Sequence, residues 1–391
     1  MREEDSMIEY NNSSKHSATT RSPTPEIIDI QGVELGVEEE YIDNNNSLAN
    51  GNPETFDMNV LPILQLPLFN RPKLNDFGSL SHLRYGPCSS IYRGSFGDLP
   101  VIVKTMRRSA AMSILANREF KLELESLSHL SHPNVISLYG GGRAKLRDTV
   151  DMMTVPFLVL EDLTGDTLAH HLLAKKSSYG VPFSKARYLR MARELADALQ
   201  YIHYSFNPDC VLIHRDLKPD NIGFTKDGTL KLFDFGLCTS LRRGASDRAV
   251  YQLSGCTGTF RYMAPETALT LPYNEKVDVY GFAMVMYEVA TGCTPFPHYT
   301  KERFYREVVR GGARPSLEID THGNRIKMPL DLKTLIAQCW DTDYVSRPTS
   351  TEVHARIQDI ERKVALKAET QRGRFSLRAA VKGLFSAKDP I

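Results

Sequence analysis

Eight residues constrain this chain more than any other stretch: His214-Arg215-Asp216-Leu217-Lys218-Pro219-Asp220-Asn221. Upstream, Leu189, Ala192, Leu195, Ala196, Leu199 and Ile202 recur at helical spacing. Downstream, Ile222-Gly223-Phe224 and Leu230-Lys231-Leu232 are joined across Asp227-Gly228, a turn dipeptide between apolar runs, and read as a hairpin. Charged and amide side chains are thus packed into a short loop whose two ends are fixed by regular elements, an arrangement suited to presenting chemistry on a rigid support.

The rest of the composition bounds the chain without directing it. A length of 391 residues leaves room for two or three compact units. A formal net charge of +1 provides no global field for nucleic acid. No apolar run approaches the length of a membrane span, and the start, Met1-Arg2-Glu3-Glu4-Asp5, lacks a signal-peptide core. The six cysteines (Cys88, Cys210, Cys238, Cys256, Cys293, Cys339) form no Cys-x-x-Cys pair or metal-ligand spacing, so free thiols in a reducing compartment are expected. The expected location is cytoplasmic, with the nucleus also open.

Residues 1–70 are expected to form a disordered acidic extension, rich in Asn, Ser, Thr and Pro, with Glu38-Glu39-Glu40 its densest cluster. It ends in an apolar stretch, Leu61 to Phe69, that Pro62 and Pro67 keep from being a long helix. From Leu83 to Gly94 the pattern is strand, tight turn, strand, with Pro87 removing a backbone donor at the tip. Val101-Ile102-Val103-Lys104 is a β-branched strand ending in lysine. A helix is expected from Glu119 to Leu130; Glu123 shares its inward face with Phe120, Leu127 and Leu130, while Glu125 points away. Phe157 to Leu160 is a buried strand that breaks at Glu161-Asp162-Leu163-Thr164-Gly165. Phe233-Asp234-Phe235-Gly236 closes the hairpin. A segment rich in Ser, Thr and Arg then runs to Ala264-Pro265-Glu266. Beyond about Arg362 the chain turns basic, with Arg374, Arg378 and Lys382 on one helical face and Leu377, Val381, Leu384 and Phe385 on another.

Taken in order, these stretches resemble the protein kinases over about Phe77 to Ile360. The opening string is similar to the catalytic loop His-Arg-Asp-Leu-x-x-x-Asn. Asp234-Phe235-Gly236, Ala264-Pro265-Glu266, Val277-Asp278-Val279-Tyr280-Gly281-Phe282 and the Cys339-Trp340 to Arg347-Pro348-Thr349 ending match further family motifs. Tyr280 and Gly281 stand for Trp and Ser of Asp-Val-Trp-Ser-Phe-Gly, and the glycine loop departs most: of Gly-x-Gly-x-x-Gly-x-Val it keeps Gly86, with Arg84 and Ser89 at the outer glycine positions and Ile91 for valine.

The resemblance implies an α+β, bilobal fold. The N-lobe and hinge (71–164) would be a small antiparallel sheet with one regulatory helix, and the mainly helical C-lobe (165–361) would precede a basic amphipathic tail (362–391). It implies ATP and Mg2+ as cofactors. Asp216 would align the substrate hydroxyl, Lys218 would steady the transferring phosphoryl group, and Asn221 and Asp234 would hold magnesium. Lys104 would hold the α- and β-phosphates and Glu123 would hold Lys104. Gly86, Ser89 and Ile91 would cover the nucleotide, with adenine against the backbone of Glu161 and Leu163 and Leu160 guarding the inner pocket. Lys218 and Thr259 follow the serine/threonine pattern, while the Cys-Trp ending and Arg261-Tyr262-Met263 lean to the tyrosine-kinase-like branch. The implied function is transfer of the γ-phosphate of ATP to serine or threonine in proteins. Dual specificity, and a pseudokinase scaffold suggested by the eroded glycine loop, remain open alternatives. Expected partners are protein substrates, an upstream kinase acting between Asp234 and Glu266 (Ser254 and Thr257 foremost), and a membrane surface or partner groove for the tail. No nucleic acid and no transmembrane segment are expected.

Overall fold

A computed structural model of the chain describes residues 80–145, 154–176, 183–244, 249–321 and 323–386. The acidic extension, its Leu61 to Phe69 stretch, Ser246 and Arg248 lie outside the described residues.

The first lobe is a five-stranded antiparallel sheet of β1 (Ser81–Tyr85), β2 (Ser89–Phe96), β3 (Leu99–Met106), β4 (Leu138–Lys145) and β5 (Thr154–Glu161), ordered β1-β2-β3-β5-β4. The two-residue period of β3 decides what its faces do. Val101 and Val103 join Tyr92, Phe157 and Val159 in a small core on one face, which sends Lys104 to the other. Between β3 and β4 lies the helix α1 (Ile114–His129). It starts at Ile114 rather than Glu119 because the Ser113 side chain accepts the Ala116 amide and caps the helix there. Ala116, Phe120, Glu123 and Leu127 are its buried face, and Glu125 is exposed, as the periodicity requires.

The second lobe is helical: α2 (Leu168–Lys176), α3 (Lys185–Gln200), α4 (Pro265–Ala268), α5 (Lys276–Thr291), α6 (Lys301–Phe304), α7 (Leu330–Cys339) and α8 (Ser350–Ser386). All six periodic apolar residues from Leu189 to Ile202 are buried; a capped α3 begins at Ser184, and its last turn widens at Tyr201–Ser205. Every residue of α5 is buried, so this helix is the spine of the lobe. Two short strand pairs lie on top. In one, β6 (Cys210–Ile213) pairs with β9 (Thr239–Arg242); in the other, β7 (Ile222–Phe224) and β8 (Leu230–Leu232) form the expected hairpin around Asp227-Gly228.

The first turns of α8 bury Val353, Ile357 and Ile360, and Glu361 pairs with Arg193 of α3 at 3.1 Å. The helix then continues unbroken to Ser386, so residue 362 begins no new element. Among the described residues, no helix is long and apolar enough to cross a membrane.

Candidate active site

The sheet and α1 bring the first pair together. Lys104 Nζ lies 2.6 Å from Glu123 Oε2 and 3.2 Å from Asp234 Oδ1. Burial opposes the charge on Lys104, but the two carboxylates outweigh it and raise the pKa of the amine. The same ammonium holds Asp234 below the ordinary carboxylate range, against burial. Burial pushes the Glu123 carboxyl up, with Lys104 pulling it back down. Glu119, one turn earlier on α1, is half-buried and also raised, by burial and then by the charge of Asp234; no local pattern singles it out.

Phe235 is fully buried and meets the His214 ring edge-on at 4.9 Å between centroids. His214 in turn bonds the Phe233 carbonyl at 3.1 Å. These contacts lock the segment carrying Asp234 to the catalytic-type loop. Both turn on strained backbone, with Arg215 at φ 68° and Asp234 at φ 67°, a region costly for a residue with a Cβ. The strain at Arg215 is offset by Asp278, whose carboxylate accepts the His214 amide at 2.7 Å and the Arg215 amide at 2.8 Å. Burial disfavours the Asp278 charge, but His203, 3.0 Å away, and these bonds outweigh it, and the carboxyl is lowered. In the sequence Asp278 counts only as structural; its direct hold on the loop, and the help from His203, arise from tertiary contacts that no local pattern marks.

Around Asp216 the groups close tightly. Lys218 Nζ donates to Asp216 Oδ2 at 2.5 Å and to Thr259 Oγ1 at 3.0 Å, and Thr259 donates to Asp216 Oδ1 through both its amide (2.7 Å) and its hydroxyl (2.8 Å). Gly258 makes this approach feasible: at φ 97°, a Cβ there would lie 2.3 Å from the Arg215 carbonyl oxygen. Asn221 Nδ2 donates to the Asp216 carbonyl and to Asp216 Oδ2 at 2.9 and 3.0 Å. Both bonds use the amide nitrogen, so the amide oxygen is the atom left to ligate a cation. With the ionised Asp234 carboxylate it makes a donor set of hard oxygens, fitting a magnesium ion that takes few protein ligands and completes its shell from phosphates and water.

The covering loop keeps its shape despite the missing glycines. The Gly86 amide donates to the Ser89 carbonyl at 2.7 Å. Arg107 braces the turn, donating to the Gly86 carbonyl at 3.3 Å with its guanidinium 5.2 Å from the Tyr85 ring centroid. Ile91 sits opposite Lys104 in the β2–β3 register. At the hinge, Leu160 is buried. The Glu161 amide is taken by the Ser137 carbonyl at 3.0 Å, and its carboxylate pairs with Lys231 at 2.9 Å. Leu163 packs over Gly223, where a Cβ would lie 2.6 Å from Leu163 Cδ1.

Arg243, in the segment after Asp234, is committed to the helical lobe: it donates to the carbonyls of His203, Pro208 and Cys210 and lies over Tyr204. Arg215 is instead turned toward the segment after Asp234. It bonds the Leu237 carbonyl at 2.6 Å, Ser254 Oγ at 2.9 Å and the Tyr273 hydroxyl at 3.2 Å. Deeper in the lobe, Arg347 grips Glu266 with both terminal nitrogens at 2.5 and 2.9 Å.

An ion-paired lysine under a β-sheet, a helix glutamate, and an Asp–Lys–Asn loop facing a second aspartate define a phosphate-handling cleft between two lobes. A family model described as the protein kinase domain matches residues 71–356, and the chain belongs to that family, among the eukaryotic-type kinases of the serine/threonine kind. It is 32% identical over 291 residues to the serine/threonine-protein kinase VIK of Arabidopsis thaliana, covering 72% of this chain and 61% of that protein. It is 31% identical over 276 residues to the dual specificity protein kinase shkE of Dictyostelium discoideum, covering 70% of this chain and 35% of that protein. To the Arabidopsis serine/threonine-protein kinase STY46 it is 27% identical over 305 residues, covering 75% of this chain and 47% of that protein. The chain thus spans less than two thirds of each of these relatives.

Proposed function

We propose that this protein transfers the γ-phosphoryl group of ATP to serine or threonine hydroxyls of other proteins. The observation that carries this reading is the closed Asp216–Lys218–Thr259 cluster, assembled in the same molecule as the Lys104–Glu123 pair. Asp216 orients the acceptor hydroxyl and takes its proton, and Lys218 lies where charge builds on the transferring group. Lys104, held by Glu123, positions the nucleotide phosphates. Ile91 with the Gly86–Ser89 turn covers the nucleotide, and the Glu161 carbonyl and Leu163 backbone receive adenine. Asp234 and Asn221 would hold magnesium, which would supply charge neutralisation to the phosphates. Catalysis is mainly positioning and fixed electrostatics. The intact set of polar groups weighs against a scaffold that does no chemistry. Tyrosine as a second acceptor is supported by the shkE likeness, a protein named as dual specificity.

The test is turnover of a generic protein acceptor with magnesium and ATP. Asp216→Asn should lower kcat by roughly a thousandfold or more with the fold intact, the scale lost when a group of a preorganised site is removed. Unchanged kcat would remove Asp216 from the mechanism, and phosphotyrosine in the product would establish dual specificity.

The cytoplasm is the location supported by six free thiols, with a role in signal transduction. An upstream kinase acting on the segment after Asp234 is the activating partner. The basic residues of 362–391, carried on α8 as far as Ser386, provide a peripheral contact with anionic lipid. Sedimentation with phosphatidylserine vesicles should retain the wild-type chain and release one with Arg374, Arg378 and Lys382 changed to Gln. Equal release of both would remove the membrane contact and leave a protein groove as the alternative.

A further inference from the structure

The start of α1 and the residues leading into it carry an apolar patch that nothing described covers. Met112, Ile114 and Leu115 are 84%, 88% and 64% exposed, three large side chains within four positions. Single exposed apolar residues are ordinary, whereas a cluster marks a contact surface. Its place matters. The opposite face of the same helix buries Phe120, Glu123 and Leu127, so whatever seats on the patch presses the helix toward Lys104.

The sequence holds a matching occupant a short distance upstream. Leu61-Pro62-Ile63-Leu64-Gln65-Leu66-Pro67-Leu68-Phe69 has six apolar residues, two prolines and no charge. The prolines fix an extended backbone, which presents alternate side chains to a surface. The described chain enters the sheet at Leu80, packed against the small β-core. The eleven steps from Phe69 to Leu80 span up to about 36 Å when extended, roughly the width of a small lobe. Charge agrees as well: acidic Glu54 and Asp57 precede the apolar stretch, while Arg108 and Arg118, both exposed, flank the patch.

We propose that Leu61 to Phe69 docks in extended form on the Met112–Ile114–Leu115 patch and holds α1 in the position that pairs Glu123 with Lys104. The docking does not depend on the phosphotransfer reading; only its consequence for activity does. The extension is then a built-in brace for the catalytic lysine.

The experiment uses the full chain in the Asp216→Asn background, so that phosphorylation plays no part. With p-benzoylphenylalanine in place of Leu115, irradiation should give a cross-link within one chain to residues 61–69. Separately, Leu64→Asp with Leu66→Asp should raise amide hydrogen exchange in the first two turns of α1 roughly tenfold, as expected for loss of a local cover. Leu115→Asp should do the same, although an acid in the first turn favours the helix itself, so a rise there reports loss of the cover. Unchanged exchange in both variants overturns the proposal. So does a cross-link that maps outside 61–69 or joins two chains, the latter assigning the patch to a second copy.

Discussion

The pair of Lys104 and Glu123 gives the site a defined response to pH. Asp234 is lowered from an ordinary 3.8, so its share of stability is complete above that value and lost only as pH falls below it. Lys104 is raised from 10.5, so its share is complete below that value and lost only as pH rises through the higher folded value. Glu123 is raised from 4.5, so its share falls as pH rises from that value through its folded pKa, and the wild-type contribution is constant only above it. Lys104→Met removes the cation and strands Glu123, which is 2% exposed. A carboxyl whose folded pKa is raised destabilises above that pKa and stops doing so once protonated. The variant should therefore be less stable by about 3 kcal/mol at pH 8, with the deficit shrinking toward pH 5. Thermal unfolding across pH measures this, and a deficit that grows toward acid would contradict it. A second residue-scale expectation concerns Gly258. In Gly258→Ala the new Cβ meets the Arg215 carbonyl at 2.3 Å, so Thr259 must leave Asp216. Turnover should fall more than about tenfold while stability changes by about 1–3 kcal/mol, the cost of local backbone strain; wild-type kcat would show that the Thr259 contact is dispensable.

At the scale of elements, the segment between Asp234 and Glu266 is the one whose order is open to control. Arg215 reaches it through the exposed hydroxyl of Ser254, which also contacts Thr257 at 3.2 Å. A phosphate on Ser254 would replace a neutral hydrogen bond to the guanidinium with charge-assisted ones, roughly doubling their strength. Phosphatase-treated enzyme should be slow and should recover on incubation with ATP or an upstream kinase. Ser254→Ala with Thr257→Ala should block the recovery, whereas full activity in that double variant would mean that Arg215 needs no phosphate. Much of this site could be read from the chain. The hairpin, the inward Glu123 and the order of motifs follow from periodicity and turn chemistry, which are local. The start of α1 at Ile114 was hidden because its signal is one capping serine, and the continuity of α8 past residue 362 because a change of composition is not a change of backbone. Asp278, His203 and Tyr273 gained their functional contacts only through packing that joins distant residues.

At the scale of the whole molecule, the helical lobe depends on one buried ion pair. Arg347, 1% exposed, holds Glu266 in the first turn of α4, where the segment after Asp234 ends. Arg347→Met should cost about 3–5 kcal/mol, because it leaves a buried carboxylate uncompensated, and Glu266→Gln in the same chain should restore part of it. Urea unfolding of the two variants checks both signs; an undiminished loss in the double variant would point to the guanidinium contacts with the Asp341 and Lys276 carbonyls instead.

The anchoring of the catalytic-type loop on α5 also divides labour between the lobes. His214 and Arg215 hang from Asp278, and Asn221 and Thr259 both bond Asp216, all within the helical lobe. Lys104 and Glu123 ride on the other. In the proposed reaction the acceptor's half of the chemistry therefore belongs to one lobe, set once the segment carrying Thr259 is ordered, and the lysine that holds the nucleotide belongs to the other. If the proposed reaction ends with ADP leaving from between the lobes, its release and not the bond change is expected to set the steady-state rate. Solvent viscosity, which drags on a swinging lobe and leaves proton transfer untouched, should slow steady-state turnover while sparing the first phosphorylated product.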